Sequence, residues 1–290
     1  MTRRRLASAD AAALDRFLAS HRDSSMFLRS NLRRAGFTYR GRPYEAVYVA
    51  TMSGGDVTGV AAHAWNHLLL LQAPDDAAAV AGACVAESRR PVSGIIGPAA
   101  QVREARAALG LAAAAAATDS TETLYAVDLA DVVVPDALAD RVRASRPPRA
   151  GERDLLAGWR LAYDMEALGA EDTEAQRRNS AAFLDAQIAE GHVWVATEDD
   201  APVSLSAFNA TLPDMVQVGG VYTPPALRRR GHARVAVAAS ALGGRARGVS
   251  RAVLFTSNPN AARAYEAIGF RAVGDYAVLL FPRAVPPARR

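Results

Sequence analysis

Apolar positions recur every three or four residues from Asp10 to about Ala35, the spacing of one helical face. Beyond it the pattern changes to near-continuous apolar runs, Glu45 to Thr51 and Val57 to Gln72, which predict two strands parted by the turn Ser53-Gly54-Gly55-Asp56. Asp75 to Arg89 predicts an alanine-rich helix capped by Asp75 or Asp76. Val92 to Ile96 predicts a short strand, Ala99 to Leu109 a helix stopped by Gly110, and Leu124 to Leu129 a further strand. Periodicity then lapses over Arg143 to Asp154, where Pro147, Pro148 and Gly151 lie among charges, so a linker is expected between domains 1–145 and 146–290. After it, Asp154 to Leu168 and Glu171 to Glu190 predict helices, and Val193 to Thr197, Val203 to Asn209 and Val216 to Tyr222 an antiparallel meander. A helix over Gly231 to Gly243, a strand over Ala252 to Phe255, a helix over Ala261 to Ile268 and a strand over Tyr276 to Phe281 complete the pattern. The fold class is α/β, with a mixed, mostly antiparallel sheet and flanking helices.

The two halves repeat each other. Gly94 to Leu111 parallels Val253 to Phe270, each a strand, a Pro-containing turn and a helix ending in Gly plus a large apolar residue. His67 to Pro74 likewise parallels Gln217 to Pro225, each followed by a helix. A tandem pair of related domains is expected.

Composition narrows the function classes. Half of the 290 residues are hydrophobic and 22% are charged, a globular balance. Basic residues number 34 against 30 acidic, for a net charge of +4, and all of them are Arg, which excludes a lysine Schiff base. Those arginines are scattered through both halves, so no nucleic-acid partner is expected. Cys84 is the single cysteine, which excludes an intrachain disulfide and suits a reducing, cytoplasmic setting. The arginine cluster at the N-terminus is followed by Asp10, Asp15 and Arg16, which interrupt the apolar core of an export signal, and no apolar run is long enough for a membrane span. His63 and His67 have no third ligand at suitable spacing, so no metal site is expected.

The stretch Val216 to Ser240 carries the chemistry. An apolar strand interrupted by Gly219-Gly220 runs into a turn with Arg228, Arg229 and Arg230, and a helix then opens at Gly231-His232-Ala233. Paired glycines in a strand mark a bulge or a close backbone approach. A helix start offers free backbone N–H groups and the positive end of the helix dipole, which suits a pyrophosphate.

Arg228 to Ala233 resembles the Q/R-x-x-G-x-G/A signature of the GNAT superfamily of acyl-CoA-dependent N-acetyltransferases. Asn258, Ala261, Tyr265, Gly269 and Phe270 are similar to its later N-x-x-A-x-x-x-Y-x-x-x-G-F pattern. The Val-Tyr-Thr-Pro-Pro form at Val221 to Pro225 looks most like the branch of glycine N-acyltransferase relatives and predicted bacterial acetyltransferases. The resemblance implies acetyl-CoA as cosubstrate and, as acceptor, a primary amine of a small molecule or amino-acid derivative. Arg228, Arg229, Arg230, Gly231, His232 and Ala233 would hold the pyrophosphate. Gly220, Val221, Tyr222 and Thr223 would hold the pantetheine arm, with Asn258, Ala261 and Arg263 near the CoA chain. Tyr265 would protonate the departing thiolate. Several members carry a glutamate base where Gln217 stands, and an amide cannot take a proton, so the alternatives are an ordered water chain, a helix carboxylate such as Asp164 or Glu166, or no base at all if the amine arrives neutral, with Glu166 as the catalytic candidate. The resemblance also leaves room for a tandem enzyme of the mycothiol synthase kind, or for a catalytically silent CoA-binding module. The first half lacks the loop signature, has Arg106 where Tyr265 would stand and sets Asp75 and Asp76 at its helix start, so one acetyl-CoA per chain is expected, held by the second half.

Overall fold

The protein is described by a computed structural model covering residues 1–287. It divides into two compact units, Met1–Leu124 together with the chain from Gly274, and Tyr125–Val273.

The first unit contains β1 (Thr2–Arg5), α1 (Ala11–Ser20), α2 (Met26–Ala35), β2 (Ala46–Ser53), β3 (Asp56–Ala64), β4 (Leu68–Gln72), α3 (Ala77–Ser88), β5 (Val92–Pro98) and α4 (Ala99–Ala108). β1 through β4 pair antiparallel in sequence order, and β5 adds parallel to β4. The expected helix from Asp10 to Ala35 is two, broken at His21–Ser25. The expected strand from Val57 to Gln72 is also two. His67 turns the chain at φ +65°, and the Asn66 side chain accepts the Leu68 N–H at 3.3 Å. Trp65 in that turn keeps the run apolar, which hid the break. The N-terminal arginines form an edge strand with exposed side chains, a use of charge that blunts the edge against further pairing.

β6 (Thr118–Asp128) carries the chain into the second unit. There follow α5 (Asp136–Ala144), α6 (Arg153–Leu168), α7 (Glu174–Ala189), β7 (Val193–Glu198), β8 (Ala201–Thr211), β9 (Met215–Tyr222), α8 (His232–Ala246), β10 (Arg251–Thr256), α9 (Pro259–Glu266) and β11 (Arg271–Val285). The sheet order is β6-β10-β9-β8-β7, with β9 and β10 parallel and β7, β8 and β9 antiparallel. One face packs on α8 through Val216, Val218, Phe208 and Val235. The other packs on α6 and α7 through Leu156, Leu184, Leu205 and Tyr222.

The units divide elsewhere than at the expected linker. Arg146 exchanges both backbone hydrogen bonds with Val195, at 3.1 and 2.8 Å, and its guanidinium pairs with Glu152 at 2.6 Å. The stretch that reads as a linker is therefore laced to β7 inside the second unit. The repeat is plain in the topology: β2-β3-β4, α3, β5 and α4 match β7-β8-β9, α8, β10 and α9. The last strand of each repeat lodges with the other. β6 follows α4 yet neighbours β10, and β11 follows α9 yet pairs antiparallel with β5, from Tyr276↔Pro98 to Leu280↔Gly94. Ala277, Leu279 and Phe281 thus fill the core of the first unit. Among the described residues, no helix is long and apolar enough to cross a membrane.

Candidate functional site

The second unit gathers nearly every residue that the sequence singled out. Its parallel ladder runs from Met215↔Arg251 to Gln217↔Val253, and beyond it β9 continues to Tyr222 and β10 to Thr256. On the other edge of β9, Ala207 pairs with Gly219 and Leu205 with Tyr222, so three steps on β9 match two on β8. That is a bulge. Gly220 takes φ +61°, and Gly219 and Gly220 both face α6 and α7, while Val218 and Val221 face α8. The positive φ favours glycine at Gly220, and at Gly219 a side chain would displace the Asn209 amide. Ser204 donates to the Tyr222 carbonyl at 2.9 Å and lies 2.9 Å from the Thr223 hydroxyl, which fixes the strand exit.

The loop after that exit has alternating handedness: Arg229 at φ +66° and Gly231 at φ +79° precede the first turn of α8. A Cβ on Gly231 would meet nothing within 4 Å. The helix start therefore opens on free space with backbone N–H donors, flanked by the exposed Arg229 and Arg230, and this donor set fits a pyrophosphate. Arg228 itself turns away from that space. Its Nε donates to the Thr223 carbonyl at 2.9 Å, and its Nη2 meets Glu166 at 2.6 Å. His232 is buried, with Nδ1 against Arg141, which also donates to the Arg230 carbonyl at 3.2 Å. Burial first, then Arg141 and Arg230, hold its imidazole below the ordinary value against the pull of Glu198. It accordingly accepts from Arg141 as a neutral ring and braces the loop from beneath. Arg141 is a contributor that the sequence reading missed, because most of α5 lies between the strand read to Leu129 and the linker read from Arg143, where no element was expected.

On α9, Asn258 is the N-cap: its Oδ1 accepts from Asn260 N–H at 2.9 Å and Ala261 N–H at 3.4 Å. Arg263 reaches back to Asn260 at 2.5 Å, and Ala261 packs on the α8 core. Tyr265 is 6% exposed, within the cluster that holds Phe270 and Val127.

On the α6 and α7 side, Arg160 and Gln187 had no place in the reading of the sequence, and Asp164 and Gln217 had one only in the search for a base. Arg160 is 8% exposed, and its Nη1 lies 3.2 Å from where a Gly220 Cβ would be. It meets Asp164 at 2.8 Å, one helical turn on, and Phe183 packs 4.5 Å over its guanidinium. Asp164 in turn accepts from Ser180 at 2.6 Å. Gln187 donates to the Phe208 carbonyl at 3.0 Å and Gln217 to the Val218 carbonyl at 2.7 Å. Arg160 was legible in principle, since it interrupts the inward stripe of α6 begun by Leu156. Glu166, by contrast, is exposed and committed to Arg228.

The corresponding place in the first unit is closed. A Cβ on Gly97 would lie 2.8 Å from the Leu71 carbonyl oxygen, so β4 and β5 stay in contact. At the start of α3, Asp76 pairs with Arg3 at 3.2 Å and accepts from Thr51, and it stands where an anion would otherwise approach. Arg106 is spent on Asp119 at 2.6 Å. Nearby, burial pushes the Cys84 thiol up to about 12, so it stays protonated at neutral pH, and holds His63 down at about 4, as a neutral ring.

Residues 159–270 match the Acetyltransferase (GNAT) family. Among curated protein sequences, none matches this chain. Solved structures share its fold over nearly its whole length. A Drosophila protein is 14% identical, covers 97% of this chain and 98% of its own, and has a TM-score of 0.65. A GCN5-related N-acetyltransferase from Sphaerobacter thermophilus is 15% identical over 99% of this chain and 96% of its own, with a TM-score of 0.57. One from Kribbella flavida is 18% identical over 91% and 95%, with a TM-score of 0.55.

Proposed function

Because the chain carries a GNAT-family acetyltransferase segment over residues 159–270, we propose that it transfers an acetyl group from acetyl-CoA to a primary amine of a small molecule, both bound at once. The observation that carries this reading is the bulged β9 beside the open helix start of α8: Gly219-Gly220 bares backbone where a thioester must lie, and Gly231 bares N–H groups where a pyrophosphate must lie. The thioester supplies an activated acyl carbon, to which the amine nitrogen bonds as the C–S bond breaks, the amine losing one proton and the thiolate gaining one. The backbone of Gly220 to Thr223 orients the acyl arm. Backbone N–H groups of Gly231 to Ala233, with Arg229 and Arg230, bind the phosphates. Arg228 and Glu166 hold the strand exit to α6, and this brace is the role their ion pair supports for Glu166. Tyr265 gives its phenolic proton to the sulfur.

The closed β4 and β5 pair and the carboxylate of Asp76 support a stoichiometry of one acetyl-CoA per chain. A cytoplasmic setting suits both the cosubstrate and the buried thiol of Cys84. Incubation of the protein with acetyl-CoA and a panel of small primary amines, followed by free CoA thiol, tests the reading. Amine-dependent thiol release supports it, and binding of acetyl-CoA without release from any amine counts against it.

A further inference from the structure

Arg160 brings to the bulge a buried cation that is only partly used. Its Nη2 is engaged by Asp164, while Nε and Nη1 have no hydrogen-bond partner among the described residues. A buried guanidinium N–H without a partner is costly unless something else satisfies it. Nη1 is the group nearest to Gly220 on that face, 3.2 Å from the built Cβ. One residue earlier, the Gln217 Oε1 lies 3.3 Å from where a Gly219 Cβ would be, and it too is without a partner, as is the Gln187 Oε1. Both glutamines are at least nine-tenths buried. The orphaned Gln217 acceptor and the orphaned Arg160 donor therefore sit at consecutive residues, whose Cα atoms stand ~3.8 Å apart.

We propose that this pair, Arg160 with the side-chain carbonyl of Gln217, is the head-group site for the acceptor, and that the acceptor is an amino carboxylate with its amine and carboxylate one or two carbons apart. The proposal rests on the acetyl-transfer reading and names its substrate class. The carboxylate takes Arg160 Nη1 and the N–H groups of the ammonium point at the Gln217 carbonyl, so the acceptor binds as a zwitterion, and one ammonium proton passes to water to free the nitrogen lone pair for the acyl carbon. Net charge favours this class over its rivals. Arg160 and Asp164 already balance, so an amino carboxylate adds no uncompensated charge to a buried site, whereas a simple ammonium or a simple carboxylate adds one. Asp164, fixed by Ser180, holds the guanidinium in place and does not touch the acceptor.

The test compares neutral amino acids with their primary amides, by CoA thiol release in the wild-type protein and in Arg160→Gln. The amide's amine is the more readily deprotonated of the two, so a preference for the free acid cannot come from intrinsic reactivity. The wild type is expected to favour the acid in kcat/KM by roughly 10- to 100-fold, the worth of one charge-assisted hydrogen bond. Arg160→Gln should bring that ratio close to one, and Arg160→Lys should restore part of it. The pair R160Q/D164N removes both charges together and guards against a fold lost to an unpaired Asp164. Amides and plain amines accepted as readily as acids by the wild type, or a preference that survives R160Q, would overturn the proposal. Thiol release from no amine at all would instead defeat the acetyl-transfer reading. Calorimetric titration of the same acid and amide pairs would then decide the head-group site by itself, with acid binding lost in R160Q as the supporting result and equal binding as the opposing one.

Discussion

The Leu71 carbonyl oxygen abuts Gly97 so closely that a Cβ there would lie 2.8 Å from it. The first-unit strands thus touch just past the end of their parallel ladder, whereas in the second unit β9 and β10 run on beyond Gln217↔Val253 outside theirs. The same topology yields a closed seam in one unit and, in the other, a ladder that stops at Gln217↔Val253 beside the glycine pair of β9. Gly97→Ala should accordingly destabilise the protein by about 1–3 kcal/mol, since backbone must shift to admit the methyl group. Urea unfolding with an unchanged midpoint would contradict that closeness.

Gly231→Asp puts a side chain and a negative charge into the space before α8, at a backbone φ of +79°. Acetyl-CoA affinity should fall at least tenfold, taking charge-assisted phosphate bonds at roughly 1.5–3 kcal/mol each. Calorimetry on the folded variant checks this, and unchanged affinity would remove the pyrophosphate from the α8 start. Titration of the wild type should saturate at one acetyl-CoA per chain.

Tyr265→Phe keeps the buried ring, packed near Phe270, and removes one hydroxyl. Turnover should drop toward the low end of the roughly 10² to 10⁴-fold range for general-acid help, because a thiolate already leaves well. Acetyl-CoA affinity should barely move. Wild-type kcat in the variant would dismiss the phenol as proton donor.

Glu166→Gln separates a brace from a base. An exposed ion pair such as Glu166 with Arg228 is worth about 0–1 kcal/mol, so KM for acetyl-CoA should rise less than about fivefold with the pH profile of kcat unaltered. A loss of kcat on the order of 100-fold or more would return Glu166 to the chemistry.

His63 supplies a pH dependence of stability. Burial foremost, then the charge of Arg90 and the neighbouring His67, lower it to about 4 from an ordinary 6.5. The unfolded chain therefore binds the proton first. The stabilisation is complete above about pH 6.5, declines as pH falls toward 4, and totals on the order of 3 kcal/mol. Unfolding midpoints measured from pH 7 to pH 4 should fall, and His63→Gln should flatten the part of the slope above pH 4.

Local chemistry was legible in the sequence. The Gly219-Gly220 pair and the glycine before α8 depend on backbone conformations that a few adjacent residues specify. The repeat was legible for the same reason, since strand, turn and helix periods are properties of neighbouring residues. Partner choice was not. An apolar strand such as β11 can satisfy any sheet edge of matching length, and only the packing of Ala277, Leu279 and Phe281 among the side chains of the first unit selects β5. Polar residues in the seam looked solvated until Arg146 met Val195 and Glu152 across about fifty and six residues of chain. Arg160 likewise carries no meaning on α6 alone. It becomes a binding group only because α6 packs over the bulge of β9, and low dielectric and lost water turn an ordinary surface side chain into an unsatisfied donor.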